Sequence, residues 1–196
     1  MEIPAFVIMS GPPAAGKTTH ARPLAAALGY PLFAMDPIKE GLADAIGREA
    51  LAIADALSAA SVHHLLAIAN EVITSGGDVM VEGFFRSGDF DHLFAPLVQR
   101  SRAVLIHLWA DDLLLKDRYE QRALAHQRHW IHGDEARIGT LQPKLPEDLR
   151  APLDLGVPRI FVNTSAGFAD VDMIRQAVMT ALQQPQSGDS YIGDMS

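Results

Sequence analysis

The chain has 196 residues, 48% apolar and 20% charged, with a net charge of −8 and no cysteine. These values fit one soluble globular domain with at most a small inserted lid. They exclude thiol catalysis, disulfides and cysteine metal sites. They also oppose a nucleic-acid partner, whose phosphate backbone calls for a surplus of Lys and Arg.

In chain order, Ala5–Ser10 reads as a buried strand, followed by GPPAAGKTT at 11–19 and a helix from Gly16 to about Leu28. Gly29 stops that helix, and Pro23 inside it, at a typical cost of about 3 kcal/mol, predicts a kink. YPLFAM reads as a second strand ending at Asp36. DPIKEGLADAIG then reads as a helix with Asp36 as N-cap and Pro37 at its first position. A long helix over Ala50–Thr74 carries Ala54, Leu57, Ser61, Leu65, Ile68 and Val72 at helical spacing. It places His64, one heptad after Leu57, against the core.

DVMVEG is a short buried strand ending at Glu82, DFDHLFAPLVQR a helix and AVLIHLWA the next strand. DDLLLKDRYEQRALAHQ is a helix capped by Asp111 or Asp112, and the stretch from Arg128 to about Asp154 is polar and irregular. PRIFVNTS is the last strand and DVDMIRQAVMTALQ the closing helix. The tail over 184–196, rich in Ser, Gly, Gln and Asp, reads as disordered. Strands that alternate with helices and run continuously apolar predict an α/β fold: a five-stranded parallel sheet between two helical layers, in one domain over 1–183.

No apolar run approaches the roughly 18 residues that span a bilayer. The N-terminus has no basic region before its apolar stretch, so it reads as a core strand and not as a signal peptide. The expectation is a cytoplasmic protein without a membrane partner. Neither a heptad nor an exposed apolar stripe sets an oligomeric state.

GPPAAGKTT has the spacing G-x-x-x-x-G-K-[ST] of a phosphate-binding loop, with a strand before it and a helix after it. The small residues Gly11, Pro12, Pro13, Ala14, Ala15 and Gly16 let successive amides turn toward phosphate oxygens, and the helix adds its positive end. Lys17 is the candidate for the β- and γ-phosphates, Thr18 for Mg²⁺, and Thr19 completes the loop. A ring-forming ATPase would need a helical second domain, for which 196 residues leave no space. The guanine-reading N-K-x-D of switch GTPases is absent. VMVEG also lacks the Asp-Glu ending common in ATP-hydrolysing motors.

The succession GPPAAGKTT, FAMDPIKEGL, VMVEGFF, DRYEQR and RHWIHGD resembles the small P-loop kinases over about residues 3–182. More narrowly it resembles the group that contains chloramphenicol phosphotransferase, the zeta toxins and many predicted kinases with AAA-type ATP binding. The resemblance implies an architecture like that of nucleoside monophosphate kinases, strand order 2-3-1-4-5, a small lid near 126–142, and ATP with Mg²⁺ as cofactors. It implies that Asp36 accepts the acceptor hydroxyl's proton. A carboxylate at a strand's C-terminal end also points into the ligand crevice, while a plain helix cap is the alternative.

Glu82 is a candidate for the Mg²⁺ shell or for substrate; the alternative is a carboxylate that satisfies the glycine turn. Phe84 and Phe85 wall an acceptor pocket or pack in the core, and Arg86 is a further substrate contact. Arg118 and Arg122, at i and i+4, share one helix face. The resemblance brings them from the lid onto the transferring phosphoryl group; otherwise they pair with Asp117 or Glu120. Trp130 and Ile131 replace the Pro-Gly of the family's Arg-His-Pro-Gly-His stretch, which leaves His129 and His132 between a substrate role and a solvated loop. The loop at Asn163, Thr164 and Ser165 passes the adenine in related kinases.

The function expected is transfer of the γ-phosphate of ATP to a hydroxyl of a small molecule of the sugar, antibiotic or nucleotide-sugar class. The alternatives are a toxin-like or regulatory nucleotide-binding protein, a polynucleotide 5′-hydroxyl kinase, and a hydrolase without an acceptor.

Overall fold

The computed structural model describes residues 2–139, 145–183 and 188–193. Its elements are β1 (Ala5–Ser10), α1 (Lys17–Leu28), β2 (Leu32–Ala34), α2 (Met35–Ile46), a 3₁₀ segment (Arg48–Ile53), α3 (Ala54–Thr74), β3 (Val79–Glu82), α4 (Asp91–Val98) and β4 (Arg102–Trp109). There follow α5 (Asp112–Leu124), two 3₁₀ turns (Trp130–His132 and Glu135–Arg137), α6 (Glu147–Arg150), β5 (Arg159–Asn163), α7 (Val171–Gln183) and β6 (Asp189–Ile192).

The strands form one sheet in the order β2-β3-β1-β4-β5-β6, every pair parallel. β1 is central and buried on both faces, which is why AFVIMS has no polar alternation. Val7 and Met9 face one core layer with Leu24 of α1 and Ile174 and Val178 of α7. Phe6 and Ile8 face the other with Val62, Leu65 and Ala69 of α3 and Phe94 of α4. In register, Glu82 lies level with Met9 on one side and Ala34 on the other. The C-terminal ends of β1, β2 and β3 therefore open onto one crevice.

Several expectations are corrected. The sheet has six strands: β6 pairs with β5 inside the stretch read as a disordered tail, and Arg159 grips Asp189 through two bonds of 2.8 and 2.9 Å. Asp189, Ser190 and Tyr191 are exposed, so this edge strand has no apolar run to betray it. Residues 184–187 and 194–196 of the expected tail, and 140–142 of the expected lid, lie outside the described residues.

β2 ends at Ala34, so Asp36 lies inside the first turn of α2; the N-cap is Ala34, with no side-chain cap bond. The long helix is a 3₁₀ segment followed by α3, and both His63 and His64 are exposed. Leu57 packs in a small separate cluster with Ala43, Ala50 and Ile131, away from the sheet. The face that meets the sheet is set by Val62, Leu65, Leu66, Ala69 and Ile73, and a heptad counted from Leu57 misses it. Finally, Arg48–Thr74 is long and apolar enough by average composition to cross a bilayer, although no uninterrupted apolar run is; here it packs its buried face on β3 and α2. α1 continues through Pro23, whose ring is exposed, as one element.

Candidate active site

The loop between β1 and α1 is bent by residues that a side chain or an ordinary φ would spoil. A Cβ on Gly11 would stand 2.2 Å from the Leu108 carbonyl oxygen, and Gly16 caps α1 with φ 84°. Lys17 folds back so that Nζ donates to the Pro12 carbonyl at 2.9 Å, beside the Ala15 amide that donates to the same oxygen at 3.3 Å. Burial lowers the Lys17 pKa, while Glu82 and Asp36 act to raise it. Thr18 and Thr19 are exposed at the helix start.

Glu82 is buried at the end of β3, and Thr18 Oγ1 donates to its Oε2 at 3.3 Å. The Gly83 amide is taken by the Met9 carbonyl at 3.1 Å, so the glycine turn does not occupy the carboxylate. Burial, helped by Asp36, pushes the Glu82 carboxyl above its ordinary value. Asp36 is pushed up by burial too, but Arg128, His132 and Lys17 outweigh this and hold it below the ordinary carboxylate range. Arg128 Nη2 donates to Asp36 Oδ2 at 2.5 Å.

Arg128 belongs to a network that ties the segment after α5 to the crevice. Asp134, buried, accepts from Tyr119 Oη at 2.8 Å and from Arg122 Nη2 and Arg128 Nη1 at 3.4 Å each. His132 accepts from Arg128 at Nδ1 (3.0 Å) and meets Glu40 of α2 at Nε2 (2.8 Å); burial and Arg128 lower its pKa. His129 Nε2 lies 2.9 Å from Asp44, one turn further along α2. Both histidines therefore dock this segment on α2.

Arg118 departs from Arg122 despite their shared face. Its guanidinium donates to the Thr164 carbonyl at 2.8 Å and to Thr164 Oγ1 at 3.3 Å. Thr164, buried, donates in turn to the Ala15 or Trp109 carbonyl, at 3.2 and 3.1 Å. Neither arginine takes the expected partners Asp117 or Glu120 in these bonds. Phe85 is core, edge-on to Phe94 at 5.1 Å, whereas the half-buried Phe84 faces the crevice. Arg86 is exposed, 3.7 Å from both Asp89 and Asp148.

Most of these groups line one cleft of about 1270 Å³; Glu40, Asp44, His129 and Phe85 lie outside its lining. It runs from Pro13–Thr19 past Asp36 and Glu82 to Ser58 and Ala59 of α3, and on the other side to Thr164 and Phe168. A smaller hollow of about 350 Å³ beside Tyr30, Asp78 and Arg102, near the chain's start, holds none of them. The sequence reading assigned Lys17, Thr18, Asp36, Glu82, Phe84, Arg86, Arg118 and Arg122, and all eight line the cleft; of the other loop residues it assigned, Pro13, Ala14, Gly16 and Thr19 line it, whereas Gly11, Pro12 and Ala15 do not. It assigned no role to Arg128, Asp134, Lys39 or His20. The first two lie inside the quoted RHWIHGD, but their partners are 92 residues away in Asp36 and 15 in Tyr119.

The sequence matches the model of an AAA domain family, AAA_33, over residues 6–144. Among curated proteins no sequence matches. The structure is similar to that of a protein of Chloroflexus aurantiacus described as a candidate kinase, with 26% identity and TM-score 0.79, covering 92% of this chain and 99% of that one. It is also similar to Kti12 of Chaetomium thermophilum in complex with ADP-AlF3 (17%, TM-score 0.58, 91% and 99%). A third likeness is the APS kinase CysC of Mycobacterium tuberculosis with AMPPNP and APS (17%, TM-score 0.57, 94% and 100%).

Proposed function

The chain belongs to the AAA domain family, and from that premise we propose that it is a P-loop kinase that moves the γ-phosphate of ATP to a hydroxyl of a small molecule. One observation carries the proposal: the phosphate loop, the Asp36 carboxylate and the Arg122 and Arg128 side chains converge on one cleft. Its volume, about 1270 Å³, exceeds the roughly 300–1,000 Å³ of a pocket for one small ligand, which suits a nucleotide and an acceptor together.

The loop amides and Lys17 hold the phosphates. The Thr18 hydroxyl and the Glu82 carboxylate are hard oxygen donors 3.3 Å apart, a set that fits Mg²⁺. When bound, that ion neutralises charge on the phosphate oxygens. The acceptor oxygen attacks the γ-phosphorus, the bond to the β–γ bridging oxygen breaks, and the acceptor's proton passes to Asp36. Asp36 is a poor base while Arg128 grips it. Transfer of Arg128 to the γ-phosphate both frees the carboxylate and, with Arg122, stabilises charge on the moving phosphoryl group.

The cleft lining also holds Lys39 and Arg86 against Asp55 and Asp89, two positive groups and two negative ones, together with Ser58 and Phe84. This balance favours an uncharged, polyhydroxylated acceptor of the sugar or antibiotic class over one that carries phosphate, a nucleotide-sugar included. The test is ATP turnover against a panel of sugars, aminoglycosides, amphenicols, nucleosides and a 5′-hydroxyl oligonucleotide. Acceptor-dependent turnover should fall by about 100-fold or more in Asp36→Asn with ATP binding kept. Lys17→Ala should lose ATP binding as well. Full turnover in Asp36→Asn would sink the base assignment.

A further inference from the structure

We infer that His20 is a positioning residue that presents Phe168 to the nucleobase, an inference that rests on the nucleotide-binding reading above. His20 lies on the first turn of α1, immediately after GPPAAGKTT, and is 2% exposed. Its Nδ1 lies 2.8 Å from the Gly16 carbonyl oxygen, inside the phosphate loop. Its Nε2 accepts from the Ala169 amide at 2.9 Å, in the loop between β5 and α7. A carbonyl can only accept and an amide can only donate, so Nδ1 carries the hydrogen and Nε2 is bare. One neutral imidazole thus joins two loops that are 149 residues apart in sequence.

What it holds there is an aromatic plane. The Phe168 ring stacks on the His20 ring, centroids 4.3 Å apart and 13° from parallel. Yet Phe168 remains 58% exposed and lines the same cleft as Lys17 and Thr18. An exposed phenylalanine with one face covered by a buried, doubly bonded imidazole is a rigid platform. Its place fits the base of a nucleotide whose phosphates sit in the loop that His20 also touches. Stacking suits such a base, since every base has a π-face. The bond to Ala169 sets the platform's height above the phosphate loop.

The test compares binding of Mg·ATP with binding of Mg·tripolyphosphate, which carries the phosphates without a base, by calorimetry on the full chain. The terminal amide of Gln reaches the place of Nε2 and that of Asn the place of Nδ1. His20→Gln therefore keeps an acceptor for Ala169, and His20→Asn loses it. The inference expects Phe168→Ala and His20→Asn to weaken ATP by about tenfold or more, with tripolyphosphate unchanged and His20→Gln near wild type. It is overturned if Phe168→Ala leaves ATP affinity unaltered. It is equally overturned if His20→Asn loses both ligands together, or if His20→Gln falls as far as His20→Asn, because a packing role would do either. The exposed Phe168 variant decides the matter even where a His20 variant does not fold. Wild-type protein that binds neither ligand is a different result and removes the kinase reading itself.

Discussion

Asp36 and Glu82 sit in one cleft, yet they shift in opposite directions, Glu82 upward through burial and Asp36 downward through its charged neighbours. For Asp36 the raising effect of burial is overcome chiefly by Arg128. Removing that guanidinium leaves burial in command, so the acid limb of kcat/KM against pH should move to higher pH in Arg128→Ala. A pH–rate profile checks this; an unmoved limb would mean that Asp36 is not the titrating base. His107 on β4, level with Ser10, offers a second titration. Burial and Lys17 lower its pKa from 6.5 to about 4, and its Nδ1 has no partner among the described residues. The folded value lies below the unfolded one, so the native state binds the neutral form. The stability this gives is complete above pH 6.5 and is lost as pH falls toward 4. At about 1.4 kcal/mol per pH unit the loss is roughly 3 kcal/mol. Urea unfolding at pH 7 and pH 4 should show that much less of a difference in His107→Leu than in the wild type.

At the scale of elements, the segment after α5 acts through Asp134. This carboxylate is 7% exposed and receives Tyr119, Arg122 and Arg128, so it aims two arginines with one anion. Asp134→Asn keeps the shape and removes the charge that gathers them. We expect kcat to fall by about 100-fold, as a small misplacement of charged groups does, while the KM for ATP shifts less because Lys17 and the loop are untouched. A KM rise with kcat intact would assign Asp134 to nucleotide binding instead. The His132–Glu40 and His129–Asp44 contacts dock the same segment on α2, so α2 supports both Asp36 and the arginine that restrains it.

Over the whole molecule, the cleft runs from the end of β2 past β3 and β1 to the loop after β5, while β6 closes the far edge of the sheet. β6 contributes a buried Ile192 and the two-bonded Arg159–Asp189 pair. Ending the chain at residue 183 should cost about 2 kcal/mol, or roughly 4–8 °C in Tm for a chain of this size. Turnover at 25 °C should survive, because no cleft residue lies on β6. Calorimetry and an assay on the shortened chain test both halves of that statement.

The local signals were the legible ones. GPPAAGKTT specifies its own conformation, since the small residues and the strand and helix beside it are neighbours in sequence. The apolar runs of β1, β3, β4 and β5 announce a parallel sheet because strands buried on both faces need no polar alternation. The place of Glu82 at a strand end followed from that, whereas Lys17 opens α1 and Asp36 lies in the first turn of α2. What the sequence could not decide was pairing over distance. It left Asp36 between base and helix cap; the structure starts α2 at Met35 and gives the carboxylate to Arg128, 92 residues on. It grouped Arg118 with Arg122 by helical spacing; tertiary packing sends one to Thr164 and the other to Asp134. It hid β6, whose exposed residues carry no periodic signal, and it misplaced His64 because Leu57 packs away from the sheet. Periodicity reports which residues leave water, but a hydrogen bond or ion pair depends on where two distant backbones bring their side chains, and only the folded sheet sets that.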